Sequence, residues 1–238
     1  MPRSRATFNN RYPICFARVL FAAETAVGPV LLSPSAKMPP STTKRDQLLD
    51  LADEKGVFRA QDAEERGIHR QYLSRLVDDG ELVRIGRGLY ERSGQDVTAH
   101  HSLAVAAKRV PKGTICLLSA LQFHDLTTQN PFDVWMAIGH KDRAPSVDAV
   151  SLRTVRMSGA AHTEGIAEHD VEGVSVSIYT PAKTVADCFK FRNKIGLDVA
   201  IEALREYVEN RGSVDALWHY ADVCRVQTVI RPYMEAVV

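Results

Sequence analysis

The segment from residue 69 to residue 79 carries the side chains best suited to binding nucleic acid. Leu73, Leu76 and Val77 recur at helical spacing and predict one buried face, and Gly80 predicts the end of the helix. The opposite face has no acid before the last turn. Arginine and glutamine can read guanine and adenine edges in a major groove, and serine or tyrosine can reach phosphates. The predicted DNA contacts on this face are His69, Arg70, Gln71, Tyr72, Ser74 and Arg75.

A second group of basic side chains follows directly. Residues 81–91 alternate apolar and polar side chains on both sides of Gly86-Arg87-Gly88. Such a pattern predicts a β-hairpin whose glycines allow positive φ in the turn. Arg87 would lie at the tip of the hairpin and Arg84 on its flank. We expect both to reach a neighbouring phosphate or the minor groove.

The elements before residue 69 are those needed to position a recognition helix. Ser41, Thr42 or Thr43 can cap a first helix that ends at Gly56. A short helix over 60–66 then ends at Gly67, and Ile68 is predicted to be buried in the turn. The order of helix, short helix, tight turn, helix and basic hairpin predicts a winged helix-turn-helix. Any single arginine could equally be ordinary exposed surface, but the group as a whole favours DNA.

Composition limits where such a site can be. The chain has 238 residues and a net charge of +1, so its overall charge favours neither a polyanion nor a membrane. A nucleic-acid site must therefore be a local patch. The cysteines show no zinc or disulfide spacing, which favours reduced, buried thiols in a cytoplasmic protein. We expect no metal and no cofactor.

Residues 1–40 form a leader that we expect to be poorly ordered. Its apolar run is interrupted by Arg18, Glu24 and Pro29, so it suits neither a secretory signal nor a membrane span. We expect Met38 to be the natural start and the residues before it to be an upstream extension of little role.

The remainder of the chain predicts an α+β fold. We expect helices over 96–109 and from near Ser119, then strands over 133–138, 150–157, 165–171 and 174–179. Helices over 181–191, 197–209, 214–223 and 227–237 would complete it, around a mostly antiparallel sheet. The predicted organisation is therefore a winged domain over 41–94 followed by a mixed α+β domain over 95–238.

Other side chains that could do chemistry lack the expected companions. His100 and His101 are adjacent and would point apart on a helix, so a surface role or a contact between helices is favoured over a metal site. Asp133, His140 and Asp142 could suggest a metal-dependent nuclease, but no Glu-x-Lys follows a strand. No nucleotide-binding loop or GxSxG elbow is present. We therefore expect no catalytic residues.

Residues 44–92 resemble the winged domain of AbiEi-type antitoxins, the transcription-regulating members of bacterial type IV toxin-antitoxin pairs. The matching positions are Gly67-Ile68, Tyr72-Leu73, Leu76, Gly80-Glu81-Leu82 and Arg84 through Tyr90. Two later segments also resemble the family, L-L-S-A-L-Q-F-H-D-L over 117–126 and Y-T-P-A-K-T-V-A-D-C-F over 179–189. The resemblance extends over nearly all of 44–238.

The resemblance implies a repressor that binds operator repeats in double-stranded DNA upstream of its own gene, as a homodimer or as paired monomers. It also implies that the second domain counters a nucleotidyltransferase-type toxin encoded alongside, without direct contact being required. Two alternatives from other classes remain open. In one the second domain is a DNA-processing enzyme, and in the other the winged domain binds a protein.

Overall fold

The computed structural model describes residues 43–94, 98–143 and 150–237. The predicted leader, the candidate caps Ser41 and Thr42, and the predicted helix start at Asp96 lie outside these ranges. Within them, the chain is mixed α+β and begins with helices and a small sheet, followed by a larger sheet and a series of helices.

The first part of the described chain has the order of elements that the sequence predicts. These elements are α1 (Lys44–Lys55), β1 (Phe58–Arg59), α2 (Ala60–Glu65), α3 (Arg70–Asp78), β2 (Leu82–Gly86) and β3 (Leu89–Arg92). Thr43 caps α1 by accepting a hydrogen bond from the Asp46 backbone N–H at 3.1 Å. The helices enclose a small core that includes Leu48, Phe58 and Leu73. We call residues 43–94 the winged region.

The second part begins with α4 (His101–Arg109), β4 (Thr114–Ile115), α5 (Leu117–Phe123), β5 (Val134–Gly139) and β6 (Leu152–Met157). It continues with α6 (Ala160–Thr163), β7 (Ile166–Val171), β8 (Val174–Tyr179), α7 (Pro181–Lys190) and α8 (Arg192–Ile195). The last helices are α9 (Leu197–Glu209), α10 (Val214–Val223) and α11 (Gln227–Val237). The sequence predicts the longer elements, whereas β1, β4, α6 and α8 are too short to give a periodic pattern.

The larger sheet corrects the prediction of a mostly antiparallel arrangement. Its strand order is β6-β5-β4-β8-β7, and the β4–β8 and β5–β6 pairings are parallel. Strand β5 reads V-W-M-A-I-G and is buried along almost its whole length. A continuous apolar strand is typical of a sheet covered on both faces, where parallel pairing is common. Pairing direction depends on distant partners, which local sequence patterns do not reveal.

The winged region and the second part pack against each other. Val57 and Leu89 from the winged region join a buried cluster with residues of α4 and β8. His101 at the start of α4 contacts two carboxylates, with Glu91 of β3 at 3.2 Å and Glu172 in the β7–β8 turn at 2.7 Å. The core thus crosses the boundary predicted near residue 94, and that boundary remains a prediction.

Helix α7 begins as the sequence predicts, with Pro181 in its first turn. Thr180 occupies the N-cap position, but its hydroxyl is buried and makes no hydrogen bond, so it does not cap the helix. Within this helix, Lys183 and Asp187 form an ion pair at 2.5 Å. Burial raises the pKa of the neighbouring Cys116 and Cys188 thiols. These two residues are buried free thiols, as the sequence predicts.

Candidate nucleic-acid interface

The turn between α2 and α3 determines how the recognition helix is presented. Gly67 adopts φ +68°, a left-handed conformation that glycine accepts readily. Its N–H donates to the Glu64 carbonyl at 2.8 Å, and the Ile68 N–H donates to the Ala63 carbonyl at 3.0 Å. The Ile68 side chain is 1% exposed. The predicted glycine stop and buried isoleucine are confirmed.

Helix α3 has the two faces that the sequence predicts. Leu73 and Leu76 are buried in the core of the winged region. The predicted contacts His69, Arg70, Gln71, Ser74 and Arg75 are all exposed. Tyr72 differs, because its ring is half-buried against the same core. The first turn of α3 contains no acid.

Several of these exposed side chains are already oriented by local contacts. His69 is the N-cap of α3, and its Nδ1 accepts a hydrogen bond from the Gln71 N–H at 3.3 Å. Arg70 forms an ion pair with Glu64 of α2. The Arg75 guanidinium lies 5.6 Å from the centre of the Tyr72 ring, within the range of a cation–π contact. Gln71 therefore projects from an ordered helix start, and Arg75 projects from the last turn of the same helix.

The hairpin after α3 is a wing built on three strands in the order β1-β3-β2. Gly88 in the turn has φ +73° and so requires glycine, whereas Gly86 has no positive φ. Arg87 lies in this turn and is exposed, as predicted for the tip. Arg84 lies on β2 and donates from Nε to the Gly86 carbonyl at 3.3 Å. The register between β2 and β3 shifts between Arg84 and Gly86.

The recognition helix and the wing meet at a cleft of about 590 Å³, which we call the arginine cleft. Its walls contain three predicted contacts, Arg70, Arg84 and Arg87, together with two arginines, Arg59 and Arg109, that no local sequence pattern indicates. Arg59 precedes α2 and Arg109 ends α4. Arg109 is a basic residue in the last turn of a helix, an ordinary feature that gives no sign of proximity to the wing.

Two hydrogen bonds hold these additional arginines in place. The Arg109 guanidinium donates to the Arg87 carbonyl at 3.1 Å, and the Arg59 guanidinium donates to the Lys108 carbonyl. Among the cleft arginines, Arg70 has a carboxylate partner. For the other arginines of the cleft, no ion pair is found within the described part of the chain. The cleft is thus strongly electropositive although the whole chain is nearly neutral.

Three of the remaining candidates for chemistry, His101, Asp133 and Asp142, have structural partners. His101 joins Glu91 and Glu172, as a contact between elements rather than a metal ligand set. Asp133 accepts from Ser151 at 2.6 Å and pairs with Arg153, and Asp142 accepts from the Gly139 N–H at 3.1 Å. Over residues 43–94, 98–143 and 150–237 no group of three or more potential ligand side chains could hold a metal ion.

A comparison with known protein families gives a match within the winged region. Residues 46–93 match a family model described as "Transcriptional regulator, AbiEi antitoxin". The winged region is of the AbiEi antitoxin type. The match covers α2, α3 and the wing, and ends before α4 and Arg109. The AbiEi resemblance inferred from the sequence is therefore confirmed for the region that carries the predicted DNA contacts.

Beyond the AbiEi-type region, the comparisons concern the fold alone. The structure resembles the crystal structure of the RV2827C protein from Mycobacterium tuberculosis, with a TM-score of 0.54 and 15% identity. The similarity covers 75% of this chain and 71% of that one. No curated protein matches the chain. No helix within the described residues is long and apolar enough to cross a bilayer.

Proposed function

We propose that the chain is a cytoplasmic repressor that binds double-stranded DNA at its own promoter, and an antitoxin of a type IV toxin-antitoxin pair. One observation carries the DNA-binding part. Helix α3 has an exposed face that is acid-free until its last turn, and Arg70 at the start of this helix borders the same electropositive cleft as Arg84 and Arg87 of the wing. This surface lies in the region that matches an antitoxin regulator family.

The residues divide into two roles. Gln71 and Arg75 on α3 would read base edges, because their side chains form bidentate hydrogen bonds with adenine and guanine. Arg70, His69, Ser74 and Tyr72 would contact phosphates or flanking bases, and Arg84 and Arg87 would hold the backbone or the minor groove. Glu64 competes with DNA for Arg70, so that contact requires exchange of the ion pair.

Fluorescence anisotropy with the chain's own promoter and a scrambled duplex tests the DNA-binding role. Arg75→Ala should weaken promoter binding by about 1–3 kcal/mol and leave scrambled DNA almost unaffected. Arg87→Ala should weaken both duplexes alike. Arg205→Ala removes an exposed arginine from α9 and serves as the control. Wild-type affinity of Arg75→Ala for both duplexes would refute base reading by Arg75, and equal affinity of the wild type for both would refute a specific repressor.

We further propose that the second part counters a nucleotidyltransferase-type toxin encoded beside this gene, and that the chain has no catalytic activity. Repeated half-sites would be occupied by a homodimer or by paired monomers. Coexpression with the adjacent reading frame tests the antitoxin role. Arg75→Ala should still restore growth, because it leaves the second part intact. Failure of the wild-type chain to restore growth would refute the antitoxin role, and Mg²⁺-dependent cleavage of a plasmid would refute the absence of catalysis.

A further inference from the structure

We propose that the arginine cleft binds one phosphodiester group of the DNA backbone, and that Arg109, from the second part of the chain, is one of its ligands. This inference rests on the proposed function and adds a contact outside the recognition helix and the wing. Arg109 also lies beyond the segment that matches the regulator family. DNA binding would then involve both parts of the chain.

The chemistry of the cleft favours a phosphate. Its walls bring together Arg59, Arg70, Arg84, Arg87 and Arg109. Arg59, Arg84 and Arg109 each donate to a backbone carbonyl, which neutralises no charge. A guanidinium has five N–H donors, so each of these side chains keeps donors for a ligand. Phosphate oxygens match the planar fork of arginine and supply the negative charge that the cleft lacks.

The position of Arg109 is fixed before any ligand binds. It ends α4, and its guanidinium donates to the carbonyl of Arg87 at the wing tip, at 3.1 Å. The reciprocal contact, from Arg59 in the winged region to the Lys108 carbonyl, connects the same two segments. A contact group held in place in the free protein loses less conformational entropy on binding. This pair of crossing hydrogen bonds therefore makes Arg109 a preorganised ligand.

The location of the cleft identifies DNA, rather than a small anion, as the source of the phosphate. Three of its arginines, Arg70, Arg84 and Arg87, belong to the α3 and wing surface proposed to contact DNA. A duplex bound along that surface must pass over the cleft, and Arg109 lies at its border. Backbone phosphates are regularly spaced along a duplex, so one of them can enter the cleft while α3 reads bases.

Salt dependence of DNA binding measures the predicted contact. Arg109→Gln should reduce the slope of log affinity against log salt by about 0.9, the value for one phosphate contact, for promoter and scrambled duplexes alike. Arg109→Lys should keep the slope but bind less tightly, because it retains the charge and loses the bidentate fork. Arg205→Gln removes the same charge from the exposed face of α9 and should leave the slope unchanged.

A methylphosphonate scan of the promoter locates the phosphate. One neutral linkage is introduced at each backbone position in turn, and affinity is measured for the wild type and for Arg109→Gln. At one position, the neutral linkage should weaken the wild type while having little effect on the variant. Additive effects of the neutral linkage and Arg109→Gln on the binding free energy at every backbone position would overturn the proposal. So would a slope for Arg109→Gln equal to that of Arg205→Gln, or a loss of affinity in Arg109→Lys as large as in Arg109→Gln.

Two further outcomes separate the possible failures. If wild-type binding is sensitive to Arg75→Ala but not to Arg109→Gln, the phosphate contact is wrong and the proposed function stands. If the wild type does not bind its promoter, both are wrong.

Titration calorimetry with inorganic phosphate tests whether the cleft binds the free anion. Binding that Arg109→Gln abolishes, together with an unchanged DNA salt slope, would assign the cleft to a small anion and overturn the proposal.

Discussion

Lys183 and Asp187 form an ion pair that has no exposed surface. The Lys183 ammonium lies 4.2 Å from the centre of the Tyr179 ring, and the Cys224 thiol donates to the other Asp187 oxygen at 3.1 Å. Burial raises the pKa of Asp187, and the positive charge and hydrogen bond of Lys183 oppose that rise. Gly165 is required beside the pair, because a Cβ there would lie 2.8 Å from the Cβ of Lys183.

Lys183→Met should lower the free energy of unfolding by about 3–5 kcal/mol, because it leaves a buried carboxylate without its cation. Lys190→Met, at an exposed position of the same helix, is the control and should change stability by less than about 0.5 kcal/mol. Urea unfolding followed by tryptophan fluorescence measures both. The double variant Lys183→Met/Asp187→Leu should recover much of the loss. Equal stability of Lys183→Met and Lys190→Met would contradict the assigned role of the pair.

The end of α1 and the β7–β8 turn approach each other closely through two glycines. Gly56 follows α1 with φ +57°, and a Cβ there would lie 2.1 Å from the Glu172 carbonyl oxygen. Gly173 faces the end of the same helix, where a Cβ would lie 2.7 Å from the Glu54 carbonyl oxygen. These glycines allow the winged region to contact the larger sheet directly. Gly67 has a similar φ of +68° but has open space around it.

Substitution by alanine compares Gly56, at a close backbone approach, with Gly67, which has open space around it. Gly67→Ala should cost about 1–2 kcal/mol, the usual penalty for a left-handed conformation with a Cβ. Gly56→Ala should cost clearly more, because φ +57° with ψ −96° lies outside the left-handed helical region and a Cβ there also displaces the β7–β8 turn. Urea unfolding of the two variants under identical conditions provides the comparison. A loss in Gly56→Ala no larger than that in Gly67→Ala would show that the close approach does not contribute.

At the scale of the whole molecule, the winged region shares its stabilising contacts with the second part. Val57 and Leu89 are buried in a cluster with Leu103 and Val174. His101 joins Glu91 to Glu172, and the latter also accepts from the Thr98 N–H at 2.7 Å. A winged region that moved freely would expose these apolar side chains. The orientation of α3 is therefore coupled to the larger sheet.

This coupling predicts that the two parts unfold together. Trp135 and Trp218 both lie in the second part, so their fluorescence follows that part, whereas far-UV circular dichroism follows all helices. The two probes should give the same urea midpoint, as a cooperative transition requires. Amide hydrogen exchange in α3 should slow to the rate set by global unfolding. A loss of ellipticity at lower urea concentration than the change in fluorescence would show that the winged region opens independently. Amide exchange in the buried face of α3 that is faster than global unfolding would show the same.

The sequence by itself determined the winged region and its candidate DNA contacts. Helical spacing of leucines, glycines at helix ends and an acid-free helical face are local signals, and each predicted feature needed only neighbouring residues. The longer helices and strands of the second part were predictable for the same reason. Tertiary structure decided the rest, including the parallel pairings, the half-burial of Tyr72 and the joint burial of Val57 and Leu89 with α4.

Arg109 illustrates the difference most clearly. It lies 22 residues from Arg87 in the sequence, yet the two meet at one cleft. No local spacing encodes that contact, because it depends on how α4 packs against the wing through a shared apolar core. A local pattern can determine which side chains a helix exposes. Only packing between distant segments decides which charges from different elements are brought together.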